Sequence, residues 1–131
     1  MNTPTVSWYK ASDDSAATGL NVDIHTQWFR CGPRDRPSFQ ALTAAGITCA
    51  YKLQFTNQDM RADPTITPTM VNDYPTGAIP YSPTQPAGAG ATTMICVESI
   101  GEWYRAYSTA SAGGSGVLPT AKVSFTELVD D

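Results

Sequence analysis

Charge is what this chain has least of. Its 131 residues carry 8 Lys+Arg, 12 Asp+Glu and one His, so charged side chains make up 15% of the whole, against roughly 25% in soluble globular domains. Lysine is scarce, with only Lys10, Lys52 and Lys122. A net charge of −4 has the wrong sign for a dedicated nucleic-acid binder, which needs clustered cations to displace phosphate counterions. Long apolar runs are also missing, since no stretch approaches the roughly 18–20 residues of a membrane span. Met1 to Lys10 lacks a basic run followed by an apolar core, so no secretory signal is expected. Met1 points to a complete reading frame, and synthesis in a cytosol follows. Cysteine is limited to Cys31, Cys49 and Cys96. Their spacing fits neither CxxC pairs nor a secreted disulfide framework, and reduced, buried small hydrophobes are expected.

Poverty in charge is not poverty in core. Hydrophobic residues reach 41%, so neither condition for a disordered chain is met. The length fits one domain spanning residues 1–131. Threonine occurs 17 times, alanine 16, and glycine and proline 10 each. Ile47, Cys49, Tyr51, Leu53 and Phe55 alternate with Thr48, Ala50, Lys52 and Gln54, which predicts a strand with an apolar and a polar face. Leu20, Val22 and Ile24 alternate with Asn21, Asp23 and His25 in the same way, running on to Trp28 and Phe29. Further strands are expected at Val6–Tyr9, Thr92–Ile100, Trp103–Tyr107 and Lys122–Thr126, with Gly101 at a bend or bulge. Helix is confined to one short candidate, Ser38–Ala45, with Ser38 as N-cap and Gly46 as C′.

Six prolines, Pro64, Pro68, Pro75, Pro80, Pro83 and Pro86, fall between Asp63 and Pro86. Each removes a ladder donor and restricts its predecessor, so this stretch is expected to be extended, on the surface or along a sheet edge. Thr65–Val71 leaves room for a short edge strand. The segment 63–91 thus reads as a Pro/Gly-rich extended arm, and Ser111–Gly116 as a hairpin tip or linker. The fold class is all-β: a β-sandwich or jelly-roll-like domain of about six to eight strands, with at most one short helix.

No motif fixes an activity. His25 is the only histidine, on the polar phase of its strand beside Asp23. No nucleophile elbow accompanies it, so it reads as a half-exposed strand histidine. One histidine and three scattered cysteines lack metal-ligand spacing. Asn57, Asp59 and Asp63 make only a loose calcium pattern, and Asp13-Asp14 read as solvated turn residues. Glu98 and Glu102 are the best pair for glycoside hydrolysis, with nothing to place them together. No cofactor, metal or enzymatic function is expected. Arg30, Arg34 and Arg36 form the densest positive patch, interrupted by Asp35 and preceded by Trp28 and Phe29. A salt-bridged turn is the expected reading there, with stacking on single-stranded nucleic acid as the alternative. The adjacent pairs Trp8-Tyr9, Trp28-Phe29 and Trp103-Tyr104 place one aromatic of each outward in a regular strand. Those outward rings would form a sticky surface for sugars or protein, unless both sheet faces are covered.

Taken together, the Thr/Ala/Gly/Pro-rich composition, the Asp63–Pro86 arm, the Ser111–Gly116 glycines, the scarce lysine and the lack of catalytic residues resemble the small β-rich virion proteins of tailed bacteriophages, of the capsid decoration (cement) or fibre-associated type. The coat proteins of RNA bacteriophages are similar in length only. They end in helices and present a basic sheet, unlike this acidic chain with its strand-like Val123–Val129. The decoration-protein resemblance implies a subunit of the virion that assembles with itself and seats on a major capsid protein or another virion protein. Contacts are expected from Trp8, Trp28, Arg34, Arg36, Pro64, Pro68, Pro75, Pro80 and Trp103. Deleting residues 64–86 is expected to leave the core folded and abolish binding. The alternative is a lectin-like carbohydrate-binding module that uses Trp8, Trp28 or Trp103 as stacking platforms.

Overall fold

The structure is a computed structural model in which residues 5–31, 35–43, 49–73, 90–95, 101–110 and 118–127 are described. Among them nine strands run in chain order: β1 (Trp8–Lys10), β2 (Ile24–Thr26), β3 (Phe29–Arg30), β4 (Asp35–Thr43), β5 (Tyr51–Thr56), β6 (Asn72–Asp73), β7 (Gly90–Ile95), β8 (Trp103–Ser108) and β9 (Thr120–Glu127). They form two antiparallel sheets that pack as a sandwich. The larger has the order β1-β2-β8-β5-β6, with β3 also on β8; the smaller is β7-β4-β9. No helix occurs among the described residues.

The helix expected at Ser38–Ala45 is instead strand β4, which pairs through Phe39↔Met94 with β7 and through Phe39↔Val123 with β9. A cap-like serine and a C′ glycine gave the segment local helical signals. Two flanking ladders outweigh them, as tertiary pairing regularly does over weak propensity. The expected alternation then appears in β4 itself: Phe39 and Ala41 are buried, Gln40 and Leu42 exposed.

Strand β5 takes up the second half of the Ile47–Phe55 span that alternation marked, Ile47 and Thr48 lying outside the described residues, and Tyr51 and Leu53 face the small sheet. Its ladder with β8 pairs Leu53↔Ala106 and Phe55↔Tyr104, putting all four on one face. Phe29 from the large sheet meets Phe39 from the small one edge-on, with centroids 5.8 Å apart. The indole of Trp8 donates to the carbonyl of Pro119 at 3.0 Å, tying the first strand to the entry of the last. Cys31 and Cys49 are both buried in this core; Cys96 lies outside the described residues. Gly101 is fixed by packing, because a Cβ there would sit 2.7 Å from Cδ2 of Phe55.

Strands β2 and β3 lie along the same side of β8 but out of step. His25 pairs with Tyr107, whereas Phe29 pairs with Tyr104, so the first strand has one more residue than its partner across the gap. This is a bulge. The hydroxyl of Thr26 fills the interrupted ladder by accepting the amide of Ala106 at 3.0 Å. Beyond the offset, Phe29 enters the inter-sheet core while Trp28 joins Trp103 and Met60 in a second apolar cluster.

The proline-rich segment contributes to that cluster. Residues 57–71 form a strap, and the next two residues, β6, pair with the edge of β5 through Gln54↔Asp73. The short edge strand thought possible at Thr65–Val71 does not form there: edge pairing begins only beyond that span, at Asn72–Asp73. The strap crosses a sheet face and does not extend away from the domain. Its anchors are the Trp28 amide donating to Pro64 O at 2.6 Å, the Trp28 indole donating to Ile66 O at 2.9 Å and the Thr56 hydroxyl donating to Met70 O. Pro68, within the strap, is buried. Pro75, Pro80, Pro83 and Pro86 lie outside the described residues. So do residues 111–117, and with them the hairpin tip or linker expected at Ser111–Gly116.

Candidate functional site

The second face of the large sheet carries an unusual set of side chains for a surface that alternation predicts to be polar and wet. His25 is 0% exposed, Arg105 3% and Gln54 7%. The strap and the 11–16 turn cover them. Both the polar and the apolar phases of β5 and β8 are therefore buried, which is why Thr56 and Gln54 are buried although they lie opposite Leu53 and Phe55.

His25 is thus fully enclosed, which corrects the expectation of a half-exposed strand histidine. Its partner is also different. Asp23, the same-face neighbour, accepts from the Tyr107 hydroxyl at 2.7 Å and from the Ala110 amide at 2.7 Å. The imidazole instead has Nε2 at 2.7 Å from Oδ1 of Asp14 and Nδ1 at 2.8 Å from the carbonyl of Thr26. Asp14 sits at a positive φ of 61°, a conformation that Asp tolerates better than most residues. The turn is closed by the Asp14 amide donating to Lys10 O at 2.8 Å. Its carboxylate also receives the Thr67 amide at 2.9 Å and the Thr67 hydroxyl at 2.8 Å. Asp13, by contrast, remains an exposed turn residue that accepts from Ser15. One carboxylate therefore links a turn, a sheet strand and the strap.

Arg105 completes the cluster. Its Nε donates to Oε1 of Gln54 at 2.7 Å, and Nη1 donates to the Thr67 hydroxyl at 3.1 Å. The guanidinium carbon lies 4.5 Å from the centre of a Trp28 ring, a cation–π contact strengthened by exclusion of water. Burial lowers the Arg105 pKa to about 10, which still leaves it charged at neutral pH. Burial, then the Arg105 charge, hold the His25 imidazole below its ordinary value, against the opposing contacts from Thr26 and Asp14. Burial pushes the Asp14 carboxyl up. The hydrogen bonds from Thr67 and His25, with the His25 charge, outweigh it and leave the group below the usual carboxylate value. Burial and the bond to Asp23 raise Tyr107 to about 12.

The Thr67 hydroxyl touches the carboxylate and not the ring, the reverse of the order in a nucleophile–base–acid relay. Among the described residues no group of three or more His, Cys, Asp or Glu is placed to hold a metal ion. Asp59 is engaged by Arg61 at 2.7 Å, and Asp63 accepts from the Thr65 hydroxyl at 2.7 Å. Glu102 is exposed and pairs with Arg30 at 2.9 Å; Glu98 lies outside the described residues.

The tryptophans correct another expectation. Trp8 is 5% exposed, Trp28 2% and Trp103 5%, so none offers an open ring in the isolated subunit. The regular-strand argument assumed one covered face, and the strap covers the other. Stacking on nucleic acid from Trp28 and Phe29 fails for the same reason. Arg34 lies outside the described residues, and Arg36 lies in β4 opposite Thr126. The exposed large apolar side chains are elsewhere: Ile66 and Met70 on the strap, Leu42 on the small sheet and Val22 before β2. Leu42 borders a shallow depression of about 250 Å³ that is also lined by Gln40, Thr120 and Lys122. A strap residue could have been sought from sequence through Arg105, the one cation between the aromatics of β8, which demands buried partners. No family model, curated protein or solved structure matches the chain.

Proposed function

We propose that the protein is a non-enzymatic assembly subunit, a virion component that decorates or cements a tailed-bacteriophage capsid through protein–protein contacts and associates with itself. The observation that carries this reading is the outer surface of the strap. Ile66 is 43% exposed and Met70 63%, on backbone held from beneath at the carbonyls of both residues. An apolar patch on preordered chain loses little freedom when it docks, and repetition on a lattice raises avidity without strong single contacts. The enclosed histidine, with both ring nitrogens engaged, supports a non-catalytic role.

The structure changes the experiment that tests this. Deleting residues 64–86 would remove the strap's anchors and uncover Trp28 and Trp103, so loss of binding would no longer be informative. Ile66→Asp and Met70→Asp alter only the outer surface. Wild-type protein should co-sediment with empty shells of a tailed-bacteriophage major capsid protein, and the double variant should stay in the supernatant with an unchanged circular-dichroism spectrum. Absence of shell binding by wild type, with a monomer at every concentration in sedimentation equilibrium, would overturn the reading. The lectin-like alternative has lost its three open tryptophan platforms.

A further inference from the structure

The buried His25–Asp14–Arg105 cluster plays no part in docking at Ile66 and Met70, yet it joins the strap to the sheet. We propose that it is an acid-operated latch: protonation at His25 releases the 57–71 strap and uncovers Trp28 and Trp103 while the sandwich stays folded. The inference does not depend on the assembly reading.

It begins with a hydrogen-bond count. Both ring nitrogens of His25 face oxygens that only accept, Asp14 Oδ1 and Thr26 O. A neutral imidazole has a single N–H, so one of these contacts always lacks a proton. A second proton would satisfy both, but it adds a cation where Arg105 already stands. The charges around the ring decide the balance. From β1 the Tyr9 ring stacks at 6.0 Å. From the turn comes Asp14, which is shared with Thr67 on the strap. On its own segment Asp23 is committed to Tyr107 and the Ala110 amide. From β8 come Arg105 and Tyr107, the latter directly across the ladder. From β5 Lys52 lies 4.8 Å over the Tyr107 ring and pairs with Asp73. Among the described residues Asp14 is thus the one carboxylate that touches the ring, already holding two bonds from Thr67, in a place that holds no solvent-exposed surface of His25. The proton is accepted on better terms once the cluster opens to water.

The strap is the part that yields. It has no ladder except at its two-residue end, β6. Its apolar seat is the small cluster of Trp28, Met60 and Trp103 with Val71 against it, whereas the inter-sheet core draws on both sheets. Segments with few apolar contacts open locally at low cost. The positive φ of Asp14 adds a backbone conformation that is released when the carboxylate lets go.

Hydrogen exchange on the wild-type protein tests this. His25 is the only histidine, so it is the only side chain whose ordinary pKa lies between about pH 5 and about pH 7.5. Over that window, protection of the Trp28 and Thr67 amides, corrected for intrinsic rate, should fall about tenfold, the change produced by a shift of one pH unit in a single proton equilibrium. The amides of β5 and β8 should hold. Tryptophan emission should shift to the red reversibly. His25→Gln, which cannot titrate, should abolish the pH dependence. The proposal is overturned if strap protection is constant down to about pH 5, if strap and sheet amides are lost together, or if His25→Gln keeps the wild-type slope. Should His25→Gln fail to fold, the wild-type comparison of strap and sheet amides decides alone.

Discussion

The two faces of the large sheet are both buried, by opposite means. Toward the small sheet, Tyr51, Leu53, Tyr104 and Ala106 interlock with Phe39 and Val123, an apolar seam with little need of particular partners. Toward the strap, His25, Gln54 and Arg105 sit among Trp28, Trp103 and Met60, and each polar group there relies on one or two named contacts. Non-directional burial tolerates local rearrangement. A polar network loses most when one member is removed, because the partners stay buried. The first face therefore supplies the bulk of stability, and the second supplies conditional closure.

Substitutions ranked by size would sharpen or break that contrast. Tyr104→Ala, on the inner face, is expected to cost about 3–5 kcal/mol in urea denaturation. It also leaves the Gly101 amide without its hydroxyl acceptor. Asp14→Ala, on the outer face, should cost about 3 kcal/mol, because it strands His25 and Thr67 and removes a side chain that tolerates positive φ better than alanine does. Asp14→Asn keeps the backbone preference and an acceptor, so a loss of about 1 kcal/mol is expected; equal losses for the two would show that the carboxylate is immaterial. The pH dependence comes next. The folded-state pKa of His25 lies below its unfolded value, so the unfolded chain takes up the proton first. Stability is full above the ordinary value of 6.5 and falls below it, by at most about 1.4 kcal/mol per pH unit. Asp14, also lowered, contributes above 3.8 and loses that contribution as pH falls through its folded value. A denaturation midpoint that rose on acidification from neutrality would contradict the burial of His25. Smallest of all, Met70→Asp should change stability by less than about 0.5 kcal/mol.

The same contrast explains what could be read from the sequence. The inner face was legible because apolar residues at period two, Cys49, Tyr51, Leu53 and Phe55 among those described, report a face without reference to any distant residue. Strands β1, β8 and β9 were legible for similar reasons. The outer face was not, because its rule is pairwise: Asp14 meets His25 across a turn, and Thr67 meets both Asp14 and Arg105 across more than thirty positions. Local spacing pointed to Asp23 instead, which was the wrong acid. The prolines correctly excluded a central strand from Pro64–Val71, but they could not indicate that the chain turns inward there. Ser38–Ala45 failed because an alanine-rich segment with cap-like ends looks helical until both neighbouring strands are known.

The ladder order also has a consequence for synthesis. Strand β8 pairs with β2, β3 and β5, yet it occupies residues 103–108, and β4 depends on β9 at 120–127. A ribosome would therefore release most of the chain before either sheet could close. Folding must wait for a late segment to thread between or beside early ones, a non-local route that is slow and leaves strand edges open meanwhile. Truncation before residue 103 should yield an aggregation-prone chain and not a smaller stable domain.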